Sequence, residues 1–223
     1  MALVSDSTIV VSAFNWVPPF AHGLVRDLRA RWALEEAGRD YSVRLLDARS
    51  ARPADYLEEQ PFGQVPSYSD EEVRMFESGA ILLHIGETCE TLVPHDTEGR
   101  ARATSWVFAA LNSVEPFVQQ LAAIDLFYTN EDWAKAQRPK IEEMVRKRLG
   151  QLAEALGDKE WLEGRFTAGD LMMVTVLRNL RQTEILADYP NLAAYKARGE
   201  ARPAFGRALD AQMNGFEDLA PAA

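Results

Sequence analysis

The stretch from Gln60 to Ser78, QPFGQVPSYSDEEVRMFES, gathers groups that make sense together as a clamp for a small molecule. Val65-Pro66 opens a short apolar run, and an X-Pro bond can adopt the cis form at low cost, turning the Val65 main chain outward. So turned, Val65 offers one N–H and one C=O to an extended peptide. Ser78 stands where a helix is expected to begin. The first N–H groups of a helix lack partners and its dipole favours negative charge, so a hydroxyl at the cap completes a carboxylate site. Glu77 beside it supplies an acceptor for an ammonium group. Taken singly, Val65-Pro66 is an ordinary strand entry and Ser78 an ordinary helix cap. Taken together, they describe a holder for an amino-acid zwitterion attached to a peptide backbone.

The elements that must position these groups follow from the pattern around them. Val65 to Tyr68 and Val73 to Phe76 read as two strands of a hairpin joined by the polar loop Ser69-Asp70-Glu71-Glu72, which delivers Glu77-Ser78 to a helix over Gly79 to Glu87. Upstream, Thr8 to Phe14 is a β-branched and aromatic run suited to a buried strand. Gly23 to Ala37 carries Leu24, Leu28 and Trp32 at helical spacing and stops at Gly38; Tyr41 to Leu46 alternates as a second strand. With a short helix around Ala54 to Glu59, the order becomes β-α-β-α-β-β-α, that of an α/β thioredoxin-like domain over residues 1–91. Leu92 to Glu98 breaks the pattern as a linker, and no convincing strand follows it.

Residues 99–223 are expected to form an all-α helical bundle. Gly99 to about Leu121 carries Trp106, Phe108, Leu111 and Phe117, and a second long helix carries Trp133, Ile141, Val145, Leu149, Leu152 and Leu156, most simply as core and helix–helix contact. Phe166-Thr167-Ala168-Gly169-Asp170-Leu171 has the chemistry of a helix start in which Thr167 caps and Asp170 answers, ahead of a segment that is apolar nearly all round.

A chain of 223 residues, 47% hydrophobic and 26% charged, can bury a real core. A net charge of -10 and a pI near 4.9 disfavour nucleic acid and anionic lipid as partners. The one dense basic stretch, Arg138 to Arg148, is interrupted by Glu142 and Glu143 and reads as a solvated helix face. One cysteine, Cys89, excludes an intramolecular disulfide and reads as an inert thiol. The N-terminus lacks the basic and apolar regions of a secretory signal, no apolar run is long enough to span a bilayer, and no metal site is expected, so the cytoplasm is the default setting.

Pro61-x-Gly63-x-Val65-Pro66, followed by Glu77-Ser78-Gly79-Ala80-Ile81, resembles the glutathione site of the cytosolic glutathione S-transferase superfamily. The capped segment from Phe166, Tyr189-Pro190-Asn191-Leu192 and Arg202-Pro203-Ala204-Phe205 resemble its C-terminal domain, so the likeness, to a bacterial-type member, covers essentially the whole chain. It implies that Val65, ahead of cis-Pro66, pairs with the cysteinyl backbone of glutathione as co-substrate. It also implies that Glu77 and Ser78 hold the γ-glutamyl end, with Gln64 a further contact. Arg52 falls where some relatives place a lysine for the glycine carboxylate, with Arg49 a rival.

Glutathione transfer needs a thiolate at neutral pH, hence a donor beside the sulfur. Relatives place a Tyr, Ser or Cys just after the first strand. This chain is similar to members with a Trp-x-Ser-Pro-Phe loop, but Pro18 stands where the serine would be, and proline has neither hydroxyl nor N–H. The remaining candidates are Asn15 through its amide, then His22, then Trp16 through its indole. A second-substrate pocket is expected between Trp16 to Phe20 and the helices carrying Trp106, Ala109, Asn112 and Ser113. The resemblance implies a homodimeric glutathione transferase acting on a small, apolar electrophile, as in detoxification. The alternatives are a glutathione-dependent disulfide reductase and a non-catalytic interaction protein of the same fold.

Overall fold

The computed structural model describes residues 7–216. They form two compact units, one from the described parts of Met1–Leu92 and Arg202–Ala223, the other from Val93–Ala201.

In the first unit the run Val10–Phe14 forms β1, and β2 (Ser42–Leu46) pairs parallel to it, Val10 facing Ser42 and Phe14 facing Leu46. Parallel neighbours need a crossover, which α1 (Asp27–Ala37) provides. Its stop is Gly38, at φ 64, a left-handed conformation that glycine adopts without penalty. After α2 (Ala54–Glu59), β3 (Ser67–Ser69) lies antiparallel on the other flank of β1, and β4 (Arg74–Phe76) forms the edge, giving the sheet order β2-β1-β3-β4. Helix α3 (Ser78–Gly86) follows. The architecture is the expected thioredoxin-like one, with shorter hairpin strands. Helix α1 begins at Asp27 rather than Gly23. A single 3-10 turn at Pro19–Ala21 comes first, and Gly23 at φ 71 takes the chain out of the right-handed helical region.

The turn between β3 and β4 is organised by one carboxylate. Asp70 Oδ1 accepts the N–H groups of Glu72 and Val73, both at 2.9 Å, while Oδ2 accepts the Tyr68 hydroxyl at 2.9 Å and the His84 Nε2–H at 3.0 Å. Burial works to raise the Asp70 pKa, but hydrogen bonds from His84, the two amides and Tyr68 outweigh it and hold the group well below the usual carboxylate range.

Helix α1 is enclosed on every side: Asp27 through Glu35 are all buried, Arg29, Arg31 and Glu35 included. Buried charge demands partners. Many come from α9 (Pro203–Met213) and the residues flanking it. Arg31 Nε donates to Asp27 Oδ2 and Gln212 Nε2 to Asp27 Oδ1, each at 2.7 Å, and Arg207 Nε to Glu35 Oε2 at 2.7 Å. Arg202 grips Glu36 with both arms, at 2.6 and 2.7 Å, and Trp32 meets Phe205 edge-on with centroids 4.9 Å apart. The expectation for residues 99–223 includes this last segment in the all-α part; in the structure it clusters with the first unit.

The second unit is helical: α4 (Thr97–Ala109), α5 (Glu115–Phe127), α6 (Asp132–Leu156), α7 (Ala168–Leu177) and α8 (Pro190–Glu200). The single helix expected from Gly99 to Leu121 is divided by a wide turn at Ala110–Val114, in which the Glu115 N–H reaches the Ala110 carbonyl. Pro116 explains the break, since it has no N–H to continue the ladder. The buried line is Ala103, Val107, Ala110, Val114, Val118 and Leu121. Phe108 and Trp133, expected in the core, are exposed, Trp133 resting against Tyr128 at 5.1 Å.

Helix α7 is buried at every position. Its start is the expected reciprocal cap: Thr167 Oγ1 accepts the Gly169 N–H at 3.2 Å and Asp170 Oδ2 accepts the Thr167 N–H at 2.9 Å. Asp170 Oδ1 also accepts the Leu162 N–H and the Tyr195 hydroxyl, both at 2.9 Å. Gly169 is required by packing, because a Cβ there would stand 2.4 Å from the Cβ of Trp106.

Thr167→Ala should cost about 1 kcal/mol. Asp170→Ala leaves two further buried donors unpaired and should cost about 3 kcal/mol, so urea unfolding must rank the two variants in that order. The depressed Asp70 pKa makes a second expectation. Its contribution is fully present above the unfolded value of about 3.9 and is lost as pH falls toward the folded one. The stability gap between the wild type and Asp70→Asn, followed by urea melts, should therefore be constant above about pH 5 and shrink steadily below it.

Candidate functional site

In the β3–β4 ladder Ser67 faces Phe76 and Ser69 faces Arg74. The ladder ends at the Ser67–Phe76 pair, so Pro66 and Glu77 adjoin it at the same end of the hairpin. The hairpin thus places the segments that contain Val65-Pro66 and Glu77-Ser78 at one end of the two strands.

The Val65-Pro66 peptide bond is cis, and the Val65 side chain is buried. Among the described residues neither the N–H nor the carbonyl of Val65 is hydrogen-bonded. The approach to it is held tightly. Buried Gln60 accepts, through Oε1, the N–H of Phe62 at 2.7 Å and that of Gln64 at 3.2 Å, and the Gln64 carbonyl accepts the Tyr56 hydroxyl at 2.5 Å.

Ser78 is the first residue of α3 rather than its cap; the cap is Glu77. Glu77 sits at φ 70, a left-handed conformation that costs a non-glycine residue of order 1–3 kcal/mol and that clusters at functional sites. Its side chain is exposed, and among the described residues its carboxylate makes no hydrogen bond or ion pair. The Ser78 hydroxyl is buried and accepts from Arg29 Nη1 at 3.1 Å, which leaves its own proton to donate. A helix N-terminus, a serine donor and a guanidinium behind it favour an anion; an exposed carboxylate next door favours a cation.

The loop after β1 presents the other expected residues. The Asn15 N–H extends the β1–β2 ladder by donating to the Leu46 carbonyl at 2.9 Å. The Trp16 ring carries the Arg49 guanidinium, 5.6 Å from its centroid. His22 Nε2 lies 3.2 Å from the Val17 carbonyl and its ring stacks on Phe216 at 4.9 Å, so this imidazole is engaged by its own loop and by the segment after α9. Pro18, at φ -56 and ψ 148, leads into the Pro19–Ala21 turn.

Arg52 is engaged too. Nε donates to the Gly63 carbonyl at 3.0 Å, Nη1 to the carbonyls of Asp47 at 2.7 Å and Ser50 at 2.8 Å, and Nη2 to that of Ala48 at 3.5 Å, with the guanidinium over Phe14 at 4.7 Å. It ties the loop before α2 to the loop after it. Arg49 is exposed and meets Asp47 only at 3.5 Å.

Periodicity gave no sign of Arg29 or Tyr56. Arg29 reads as a polar position of an amphipathic helix, and only the enclosure of α1 turns it inward. Tyr56 reads as one aromatic residue of a short helix; the signal available was its place five residues ahead of Pro61, on the helix that enters the clamp.

Residues 14–87 match the glutathione S-transferase N-terminal domain and residues 119–207 the glutathione S-transferase C-terminal domain. The glutathione S-transferase GstA of Escherichia coli O157:H7 is 28% identical over 194 residues, 83% of this chain and 93% of the relative. The disulfide-bond oxidoreductase YfcG of Escherichia coli K12 is likewise 28% identical over 194 residues, 79% of this chain and 86% of the relative. Among solved structures, a Burkholderia graminis glutathione transferase with two glutathione molecules bound per subunit aligns at a TM-score of 0.78 and 25% identity, covering 91% of this chain and 87% of that one. With both domain matches in order along one chain, and the sheet and helical units that each requires, the protein belongs to the cytosolic glutathione S-transferase superfamily.

Proposed function

We propose that this protein is a glutathione transferase that binds glutathione in its first unit and directs the thiolate at a small, apolar electrophile. The observation that carries the reading is the unengaged Val65 main chain before cis-Pro66, at the hairpin end from which Glu77 leads the chain into α3 and the Ser78 hydroxyl. Val65 is suited to bond both ways with the cysteinyl residue. Ser78 and the α3 N-terminus suit the γ-glutamyl carboxylate, Glu77 its ammonium, and Gln64 a side contact. For the glycine carboxylate the support favours Arg49 over Arg52, whose donors face main-chain carbonyls.

In the reaction the sulfur forms a bond to the electrophilic carbon while a leaving group departs with the electron pair, or an epoxide oxygen takes up a proton. Pro18 cannot donate to the sulfur. His22 faces Val17 and Phe216, so of Asn15, His22 and Trp16 we keep the Asn15 amide first and the Trp16 indole behind it. Superfamily membership supports a homodimer. Among the described residues no helix is long and apolar enough to cross a membrane.

A second reading, glutathione-dependent disulfide reduction, is favoured by the likeness to YfcG and by Pro18. Here the glutathione sulfur attacks one sulfur of a mixed disulfide and the other leaves as a thiol, so no protein thiol is consumed.

Calorimetry should detect glutathione binding, and Ser78→Ala should weaken it about tenfold, the loss of roughly one charge-assisted hydrogen bond. No heat up to millimolar glutathione would overturn the reading. Arg49→Ala should weaken glutathione but leave γ-glutamylcysteine, which lacks the glycine, unaffected; equal losses would remove Arg49 from the site. Turnover of aryl halides and epoxides above that of mixed disulfides supports transfer, and the reverse order selects reduction.

A further inference from the structure

A chain of hydroxyls runs beneath the clamp. Ser67 N–H donates to Ser12 Oγ at 2.6 Å, Ser12 Oγ lies 2.8 Å from the Tyr56 hydroxyl, and that hydroxyl donates to the Gln64 carbonyl at 2.5 Å. The directions are forced. A carbonyl oxygen has only lone pairs, so the single Tyr56 proton points at Gln64, and the proton between Ser12 and Tyr56 must come from Ser12. Every donor therefore points the same way, the arrangement in which hydrogen bonds polarise and strengthen one another.

The ends of this chain are informative. Ser67 N–H and Gln64 C=O are the main-chain groups that flank Val65-Pro66, so two buried hydroxyls staple the backbone on either side of the clamp. The Gln64-Val65 peptide is trans, so its carbonyl and its N–H point in opposite directions. Holding the Gln64 oxygen on the Tyr56 side aims the Val65 N–H at the other. Tyr56 and Ser12 are fully buried, and the Tyr56 ring belongs to one cluster with Leu46 and Val65, Phe14 packing against it. The ring is fixed, and the hydroxyl with it.

We infer that Tyr56 is a positioning residue for the clamp: through its hydroxyl, aligned by Ser12, it sets the plane of the Gln64-Val65 peptide and so aims the Val65 N–H at the peptide backbone of the ligand. The inference rests on the reading of Val65 as the main-chain contact for glutathione. It adds a residue that touches no part of the ligand.

Tyr56→Phe keeps the ring and removes only the hydroxyl. Two readouts separate Tyr56 from the glutathione reading itself. In the ligand-free protein, the amide proton of Val65, followed by NMR, should change its chemical shift in the variant. With ligand, the glutathione Kd and KM should rise about tenfold, as for one misaimed main-chain bond, while kcat at saturating glutathione changes less than twofold. Competition by free glutamate, which can reach only Glu77 and Ser78, should be unaltered. A Val65 amide indifferent to the substitution, or equal losses for glutathione and glutamate, overturns the inference whatever the wild type binds. A changed amide in a protein that binds no glutathione overturns the functional reading while leaving Tyr56 as the group that orients this peptide. If Tyr56→Phe does not fold, Ser12→Ala, which keeps the Tyr56–Gln64 bond but removes its aligning donor, must raise the Kd two- to threefold, and an unchanged Kd there counts against the inference.

Discussion

The pairing of Ser67 with Phe76 is the constraint on which the candidate site depends. Antiparallel strands exchange faces when they slip by one residue, so the register that buries Tyr68 also decides which residue meets the start of α3. With strands of only three residues, the ladder alone fixes this poorly. The rest of the hairpin compensates: Asp70 closes one end with four hydrogen bonds, and the Ser67–Ser12–Tyr56–Gln64 chain anchors the other. The strained Glu77 lies just beyond, where the strand turns into α3.

Helix α1, packed against α3, breaks the usual rule of burial. It has charged residues at about half of its positions, yet Asp27 to Glu35 are all enclosed. Burial pushes the Asp27 carboxyl up, and Arg31, the larger of the opposing influences, pulls it down, with Gln212 helping. Removing one member of such a pair costs more than the pair contributes, because the other is left buried and charged. The arrangement puts a cation, Arg29, within reach of Ser78 without exposing it to solvent.

The sequence announced the elements whose period was clean. The β-branched run of β1, the strand after Tyr41, the glycine stop of α1 and the reciprocal cap on α7 each rest on local chemistry, and each is found in place. Errors fell where local signals compete. Gly23 sits inside an apolar repeat but in a left-handed conformation, and Pro116 interrupts a stripe that is otherwise continuous. Phe108 and Trp133 are large and apolar, yet the face of each helix that packs is drawn by smaller residues. At the candidate site, the residues announced by motif were legible, but those that hold them were not. Arg52 shows why: a loop arginine matched to a ligand carboxylate by position alone instead meets four backbone carbonyls, a geometry no pattern of spacing encodes.

The bonds from Arg202 and α9 to α1 join residues far apart along the chain, 166 positions for Glu36 and Arg202 and 185 for Asp27 and Gln212. Ribosomal synthesis runs from the N-terminus, so the sheet and α1 emerge well before the helix that neutralises them. Until then Glu35 and Glu36 lack Arg207 and Arg202, and a helix meant for enclosure must stay partly open to water. Closing so long a loop carries an entropic cost that grows only slowly with length, so the delay is a matter of timing more than of stability. The thioredoxin-like unit therefore completes its maturation late, after the whole of the second unit has been translated.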